Sequence, residues 1–294
     1  MRVSIILSLY NVEKYLETYF EDALKQTIIN EIEFSIIHNN PTELEKLVID
    51  KYKNKLNIIY QEVLLEPLYI SWNKAITQST GKYLACWNVD DLRTYNSIER
   101  MVETLDQNLN IGFTYGDIII VNKFSNKQGN YIKTPAFTNN LGTTGAIGGP
   151  FFMWRRSLNE KVGVFDEQFK SGGDFDYTVR LSIFSQGKKT AGIIGYFLNE
   201  KLGLSTKNAD LQIVERTVIE MRYGIWYKID IDYICKAFDY QINHIMENGI
   251  SRKIDSEIAA LNQKRKYWML MIGFGFIKNS TIKILQKIKR YLTK

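Results

Sequence analysis

Over its first 110 residues the chain switches repeatedly between two hydrophobic periods, and few folds accommodate such switching. Val3-Ser4-Ile5-Ile6-Leu7-Ser8-Leu9 is an apolar run too short for a helix, so it reads as a strand. Tyr15, Leu16, Tyr19, Phe20, Ala23 and Leu24 then recur at helical spacing. The same pair of signals returns. Ile32 to Ile37 is a second strand before a polar helix from about Thr42 to Lys53, and Leu56 to Gln61 is a third before a helix around Tyr69 to Thr77. A fourth strand starts at Tyr83 and precedes a helix from Ser97 to Leu109. Strands that alternate with helices pair in parallel through crossovers. The expectation is an α/β fold with a mainly parallel sheet and helices on both faces. No GxGxxG follows the first strand, so a dinucleotide-binding fold has little support.

The fourth strand carries the strongest chemical signal. Tyr83-Leu84-Ala85-Cys86-Trp87-Asn88-Val89 ends abruptly in Asp90-Asp91, and in open α/β sheets ligands gather at the carboxyl ends of strands. Two readings fit. Paired carboxylates there suit a hard divalent cation that clamps a diphosphate. The same residues also suit a turn or the cap of the next helix, where Asp is common.

From Ile111 the pattern loosens. Phe113 to Val121 is strand-like, residues 125–149 are polar and rich in Gly, Thr and Asn, and Phe151-Phe152-Met153-Trp154 restores apolar structure. Gly172-Gly173-Asp174-Phe175-Asp176 opens a helix through Phe184, and beyond about Asp210 the chain reads as all helix. The expected division is therefore a first domain over 1–207 and a helical region over 208–294. Hydrophobic residues make up 45% of the chain and charged residues 24%, ordinary for a sizeable core. Cys86 and Cys235 lack metal-ligand spacing and read as reduced core thiols. With no signal peptide and no apolar run of about 20 residues, a cytoplasmic location is expected.

Several motifs in order resemble the family 2 glycosyltransferases of the GT-A type, over roughly residues 3–200. Val3 to Asn11 resembles that family's first strand, and Ser79-Thr80-Gly81-Lys82-Tyr83 with Asn88-Val89-Asp90-Asp91 resembles its Asp-x-Asp region. Gly149-Pro150-Phe151-Phe152 resembles the acceptor-side segment. Val164 to Phe169 followed by Asp174-Phe175-Asp176 and Arg180 resembles the stretch that carries the base. The resemblance implies a Rossmann-like nucleotide-diphospho-sugar transferase fold, with a nucleotide-sugar half over about 1–118, an acceptor half over about 119–207 and a C-terminal helical extension. It further implies an inverting transfer from a nucleoside-diphosphate sugar, uridine-linked, to a hydroxyl of a glycan or lipid-linked acceptor in surface polysaccharide synthesis.

Residue by residue, the resemblance assigns Asp174 as the base that deprotonates the acceptor. Asp90 and Asp91 are assigned to a Mn2+ or Mg2+ ion that stabilises the leaving diphosphate. Leu9, Asn11, Asn39, Asn40, Asn73, Asn88 and Asp90 are assigned to the nucleotide sugar. The alternative for Asp174 is an ordinary helix cap. Gly172 and Gly173 are expected to allow a sharp turn and leave room for the acceptor. Asp176 and Arg180, at i and i+4, are expected to pair as support. The chain departs from the family pattern at two points: Asn88 stands where the first Asp of Asp-x-Asp is usual, and His38-Asn39-Asn40 replaces an Asp-Asp-Gly segment. An amide at Asn39 or Asn40 still offers an acceptor and a donor to a pyrimidine. His38 reads as a polar strand end, and Trp87 and Trp154 as core aromatics, while Trp72 and Asn73, in the helix before Gly81, resemble the family's Ala-x-Asn helix that supports the nucleotide site.

The net charge of +6 is unevenly placed: residues 252–294 carry +9 and residues 1–251 carry −3. Ile277, Thr281, Ile284, Leu285, Ile288, Tyr291 and Leu292 fall on one helical face, with Lys278, Lys283, Lys287, Arg290 and Lys294 elsewhere. Such a pattern over 264–294 suits a helix lying on an anionic membrane surface, which would make the protein peripheral on the inner face of the plasma membrane. Packing on the domain, or in a homo-oligomer through the C-terminal helices, is the alternative. No nucleic-acid motif accompanies the charge. Two rival functions share this plan: a nucleotidyltransferase, against which the absence of glycine from Ser8-Leu9-Tyr10-Asn11-Val12 argues, and an inactive nucleotide-binding scaffold.

Overall fold

The computed structural model describes residues 1–138, 149–200, 209–223, 244–247 and 250–253. The alternation read from the sequence is realised as β1 (Val3–Leu9), α1 (Glu13–Ala23), β2 (Ile32–Asn39), α2 (Glu43–Lys53), β3 (Asn57–Val63), α3 (Leu68–Gln78) and β4 (Tyr83–Cys86). β3, β2, β1 and β4 are neighbours in that order and all parallel, with Val3 opposite both Ile32 and Tyr83. Gly81 permits this register, because a Cβ there would lie 2.5 Å from Ser4 Oγ and 2.6 Å from Ser4 N.

The second half of the sheet is mixed. It contains β5 (Leu92–Arg93), β6 (Ile111–Val121), β7 (Asn130–Ile132), β8 (Met153–Arg155) and β9 (Gln186–Leu198). β8 joins antiparallel to β4 and β6, β9 runs parallel to β6, and β5 and β7 close the edges antiparallel. α4 (Ser97–Asp106) follows β5, while α5 (Asn159–Val162) and α6 (Gly173–Phe184) lie between β8 and β9.

Successive residues of β1 serve opposite faces. Val3, Ile5 and Leu7 join Leu16, Phe20, Ile49, Tyr52, Ile98 and Met101 of α1, α2 and α4 in one core. Ile6 points the other way, into a core with Trp72 and Ile76 of α3, Trp154 of β8 and Tyr177 of α6. Trp87 and Trp154 are buried, as their reading as core aromatics requires, and Trp72 is buried beside them in the fold.

The C-terminal half brings two corrections. Helix α7 (Ala209–Tyr223) was expected in a separate region beginning at 208, yet its Val214, Val218, Ile219 and Tyr223 belong to the same core as Trp72 and Tyr177. A boundary at 207 therefore falls inside a shared core. Nor is the region all helix: β10 (His244–Glu247) and β11 (Ile250–Lys253) form an antiparallel hairpin. The amphipathic segment 264–294 and Cys235 lie outside the described residues. Among the described residues no helix is long and apolar enough to cross a membrane.

Candidate active site

The parallel strands end together at Leu9, Asn39, Val63 and Cys86, and the loops beyond them form the floor of the site. Asn11 and Asn40, expected at the nucleotide, are exposed and adopt φ of 52° and 41°. Asparagine is among the few side chains that accept the left-handed region, so each makes a tight exit from its strand. Asn40 Oδ1 also accepts from Leu65 N at 3.1 Å. Leu9 is buried, and its carbonyl accepts from Asn39 Nδ2 at 3.4 Å.

Asn39 and Asn73 are both engaged by the protein's own groups. Asn39 Oδ1 accepts from Glu66 N at 3.0 Å, and its Nδ2 donates to Ser8 Oγ at 3.2 Å and Ser71 Oγ at 3.1 Å. It is 2% exposed and braces the end of β1 against α3 and the loop before it. Asn73 exchanges two main-chain bonds with Phe165, each 2.9 Å, and donates to Glu167 Oε1 at 2.9 Å. It pins the segment before α6 onto α3. His38 is buried between Tyr60 and Glu45, 3.0 and 3.2 Å away, and burial lowers its pKa, so it stays a structural strand end.

Beyond β4 the two aspartates part ways. Asp91 is 1% exposed; its Oδ1 accepts from Leu198 N at 2.9 Å, tying the loop to the end of β9, while its Oδ2 is buried and unpartnered. Burial, and then the charge of Asp90, push its pKa well up. Below it lies a second buried charge, Arg93, whose guanidinium donates to Cys86 O at 2.9 Å and which burial lowers to about 10. One oxygen of Asp91 thus holds the loop to β9, a role in the fold that stands whether or not a cation arrives with substrate. Asn88 is half-buried, and its carbonyl accepts from Asp91 N at 3.1 Å. Asp90 is half-buried as well, and its pKa is raised by burial and by the charge of Glu200, with Lys14 opposing. Lys14 and the Tyr15 hydroxyl both reach Glu200 at 3.0 Å.

No group of three or more His, Cys, Asp or Glu is gathered as a metal cage among the described residues. A cation held by one or two carboxylates with substrate phosphates and water needs no such cage. Asp90 fits that role, because a divalent ion beside it would relieve the repulsion it feels from Glu200.

Asp174 is the second residue of α6 and half-buried. It is not the cap: Gly172 is the N-cap and α6 has no side-chain cap bond. Its Oδ1 accepts from Phe175 N at 2.8 Å. Burial pushes its pKa up to about 6, partly offset by nearby N–H groups, with Glu215 adding a further rise. Its main-chain N–H donates to the Tyr69 hydroxyl of α3 at 3.4 Å, and its charge is felt at Cys86, the last residue of β4. Gly172 has φ −99° and Gly173 does not adopt positive φ, so sharp turning is not their reason. A Cβ at Gly173 would lie 2.6 Å from the Tyr69 ring, and the room is for that ring rather than for an acceptor.

The expected Asp176–Arg180 pair is present, at 2.8 Å through Nε. Asp176 is fully buried and also accepts from Arg222 Nη1 at 2.9 Å and the Tyr223 hydroxyl at 2.8 Å, and Arg222 reaches Asp166 at 2.7 Å. Glu200, Tyr69, Glu215 and Arg222 were not singled out from sequence; residues 209–223 carry five charged side chains, and nothing in their spacing marks the last two.

The description "Glycosyl transferase family 2" matches residues 4–163, more than half of the chain. The chain belongs to glycosyl transferase family 2. The family 2 match stops short of Asp174. Among curated relatives of this glycosyltransferase, a chondroitin synthase of Pasteurella multocida (strain Pm70) is 21% identical and a hyaluronan synthase of Pasteurella multocida 23% identical, each over 98% of this chain. The chain spans only 31% and 30% of their respective lengths. The crystal structure of S. aureus TarS 1-349 in complex with UDP-GlcNAc superposes with a TM-score of 0.63 at 18% identity, over 81% of this chain and 70% of that one. That likeness establishes the GT-A fold. Family membership also sets aside the nucleotidyltransferase alternative.

Proposed function

We propose that this glycosyltransferase moves a sugar, with inversion, from a UDP-sugar to a hydroxyl of a glycan or lipid-linked acceptor in polysaccharide synthesis. The observation that carries the reading is Asp174: a carboxylate at a helix start, its charge felt at Cys86 of β4, with its pKa raised to about 6. A base of that strength is largely ionised at neutral pH yet strong enough to accept a proton from a hydroxyl as it attacks. One base and one displacement invert the anomeric centre. At the other end of the reaction Asp90 would hold Mn2+ or Mg2+, which when bound supplies positive charge to the departing diphosphate. Lys14, 55% exposed along its side chain and paired with Glu200, stands near Asp90 to meet the same charge. Support for the donor comes from the UDP-GlcNAc complex of the structural neighbour, and support for the acceptor class from relatives named for chondroitin, hyaluronan and minor teichoic acid synthesis. For the nucleotide, Asn11 and Asn40, exposed just past the ends of β1 and β2, would offer amide groups beside Leu9.

The test is nucleotide release from a panel of UDP-, GDP- and dTDP-sugars, with Mn2+ or Mg2+ and then with EDTA. Metal-dependent release from a UDP-sugar, lost in Asp90→Ala and in Asp174→Asn, is the expected result. Silence toward every donor, with no thermal stabilisation by any nucleotide, would favour the inactive scaffold.

A further inference from the structure

Glu215 sits in the middle of α7 and is fully buried. Its carboxylate faces the segment ahead of α6 and accepts three successive main-chain N–H groups: Lys170 N at 2.7 Å on Oε1, then Ser171 N at 2.8 Å and Gly172 N at 2.6 Å on Oε2. Main-chain donors at a helix start are left over by the helix itself and are ordinarily met by a capping side chain. Here the cap residue is a glycine, and the acceptor arrives from another helix. Charge-assisted bonds of this length are the stronger kind, and the acid also lies at the positive end of the α6 dipole.

We propose that Glu215 is the positioning residue of the transfer reaction: it substitutes for the cap that α6 lacks, fixes the turn 170–172 and so aims Asp174. The proposal rests on the assignment of Asp174 as base. Asp174 is bracketed by α7, with Glu215 holding residues 170–172 before it and Arg222 and Tyr223 holding Asp176 after it. Three elements present ionisable groups to Asp174: Tyr69 from α3, Cys86 from β4 and Glu215 from α7. Glu215 touches no reacting atom. It acts by holding the base and by opposing its ionisation.

The test uses the full chain with Glu215→Gln and Glu215→Ala, and Glu220→Gln as the control. Glu220 is another buried acid of α7, paired with Arg216 rather than with 170–172. Hydrogen exchange of amides 170–176 is read beside donor turnover between about pH 5 and 9. A Gln cannot accept from all three N–H groups, so exchange at 170–172 should accelerate at least tenfold. Turnover should fall by about 10²-fold with donor KM within about twofold, and the acid limb of the profile should move to lower pH. Glu220→Gln should keep the wild-type exchange and limb even if its Tm falls. Wild-type exchange at 170–172 in Glu215→Gln, or the same loss with an unmoved limb in both Gln variants, would overturn the proposal. Glu215→Asp, which keeps the charge on a shorter arm, carries the same readouts if the other variants fail to fold. A wild-type chain that turns over no donor counts against the transferase reading alone, and the exchange arm then decides whether Glu215 fixes the turn.

Discussion

Asp174 is held in an environment that suits its reactivity and works against the fold. Its carboxyl is raised from the ordinary range to about 6, so the folded state binds the proton more tightly than the unfolded chain. The stability this group contributes is present below its unfolded pKa and is lost as pH rises through about 6. Asp174→Asn should therefore raise stability at pH 7.5 by on the order of 1–2 kcal/mol, a gain that vanishes below about pH 4; thermal denaturation across pH checks it. The same variant should lower transfer by about 10²- to 10⁴-fold while leaving nucleotide affinity within a few fold. For the wild type, turnover should fall as pH drops through about 6, because the protonated carboxyl cannot accept from the acceptor. Asp90 and Asp91 make a second residue-scale contrast. Asp91→Ala strands Leu198 N and should cost about 1–3 kcal/mol of stability with metal activation intact. Asp90→Ala should do the reverse, leaving Tm near wild type and abolishing metal-dependent release.

At the scale of elements, α7 decides whether α6 is held. Arg222→Ala removes one of the cations on the buried Asp176 and leaves Asp166 without its partner on α7, so a loss of about 3–5 kcal/mol in urea denaturation is expected. Strands and helices up to α4, the two-residue β5 apart, were legible because each carries a local signal, β1 as an apolar run too short for a helix and α1 through Leu16, Tyr19, Phe20 and Ala23 at helical spacing. β9 was not, since Gln186-Gly187-Lys188-Lys189-Thr190 lacks apolar alternation and depends on pairing with β6. The surroundings of Asn39 and Asn73 were hidden for a related reason. Residue type tells which bonds an amide can make, but only the fold shows that Ser8, Ser71, Glu66 and Phe165 engage them. Asp90 and Asp174 stand out in the sequence because each interrupts a strong local pattern at its end.

Across the whole molecule, two halves of one sheet meet at β4 and β8, and one core spans both through Trp154, Phe165, Tyr177 and the apolar face of α7. A chain ended at residue 207 would lack α7 and expose the side of the core it covers, and we expect it to sediment as aggregate or to lose its cooperative melting transition, in contrast to one ended near 263. The latter lacks 264–294, whose basic charge and apolar stripe support an anionic membrane partner; the 294-residue chain should co-sediment with anionic liposomes and the shortened one should not. The family 2 match ends at residue 163, while the arginine and tyrosine that clamp Asp176 come from 222 and 223. Anyone grafting acceptor specificity between relatives must therefore carry residues 209–223 along with α6, because a chimera cut between α6 and α7 would transplant Asp174 without its foundation.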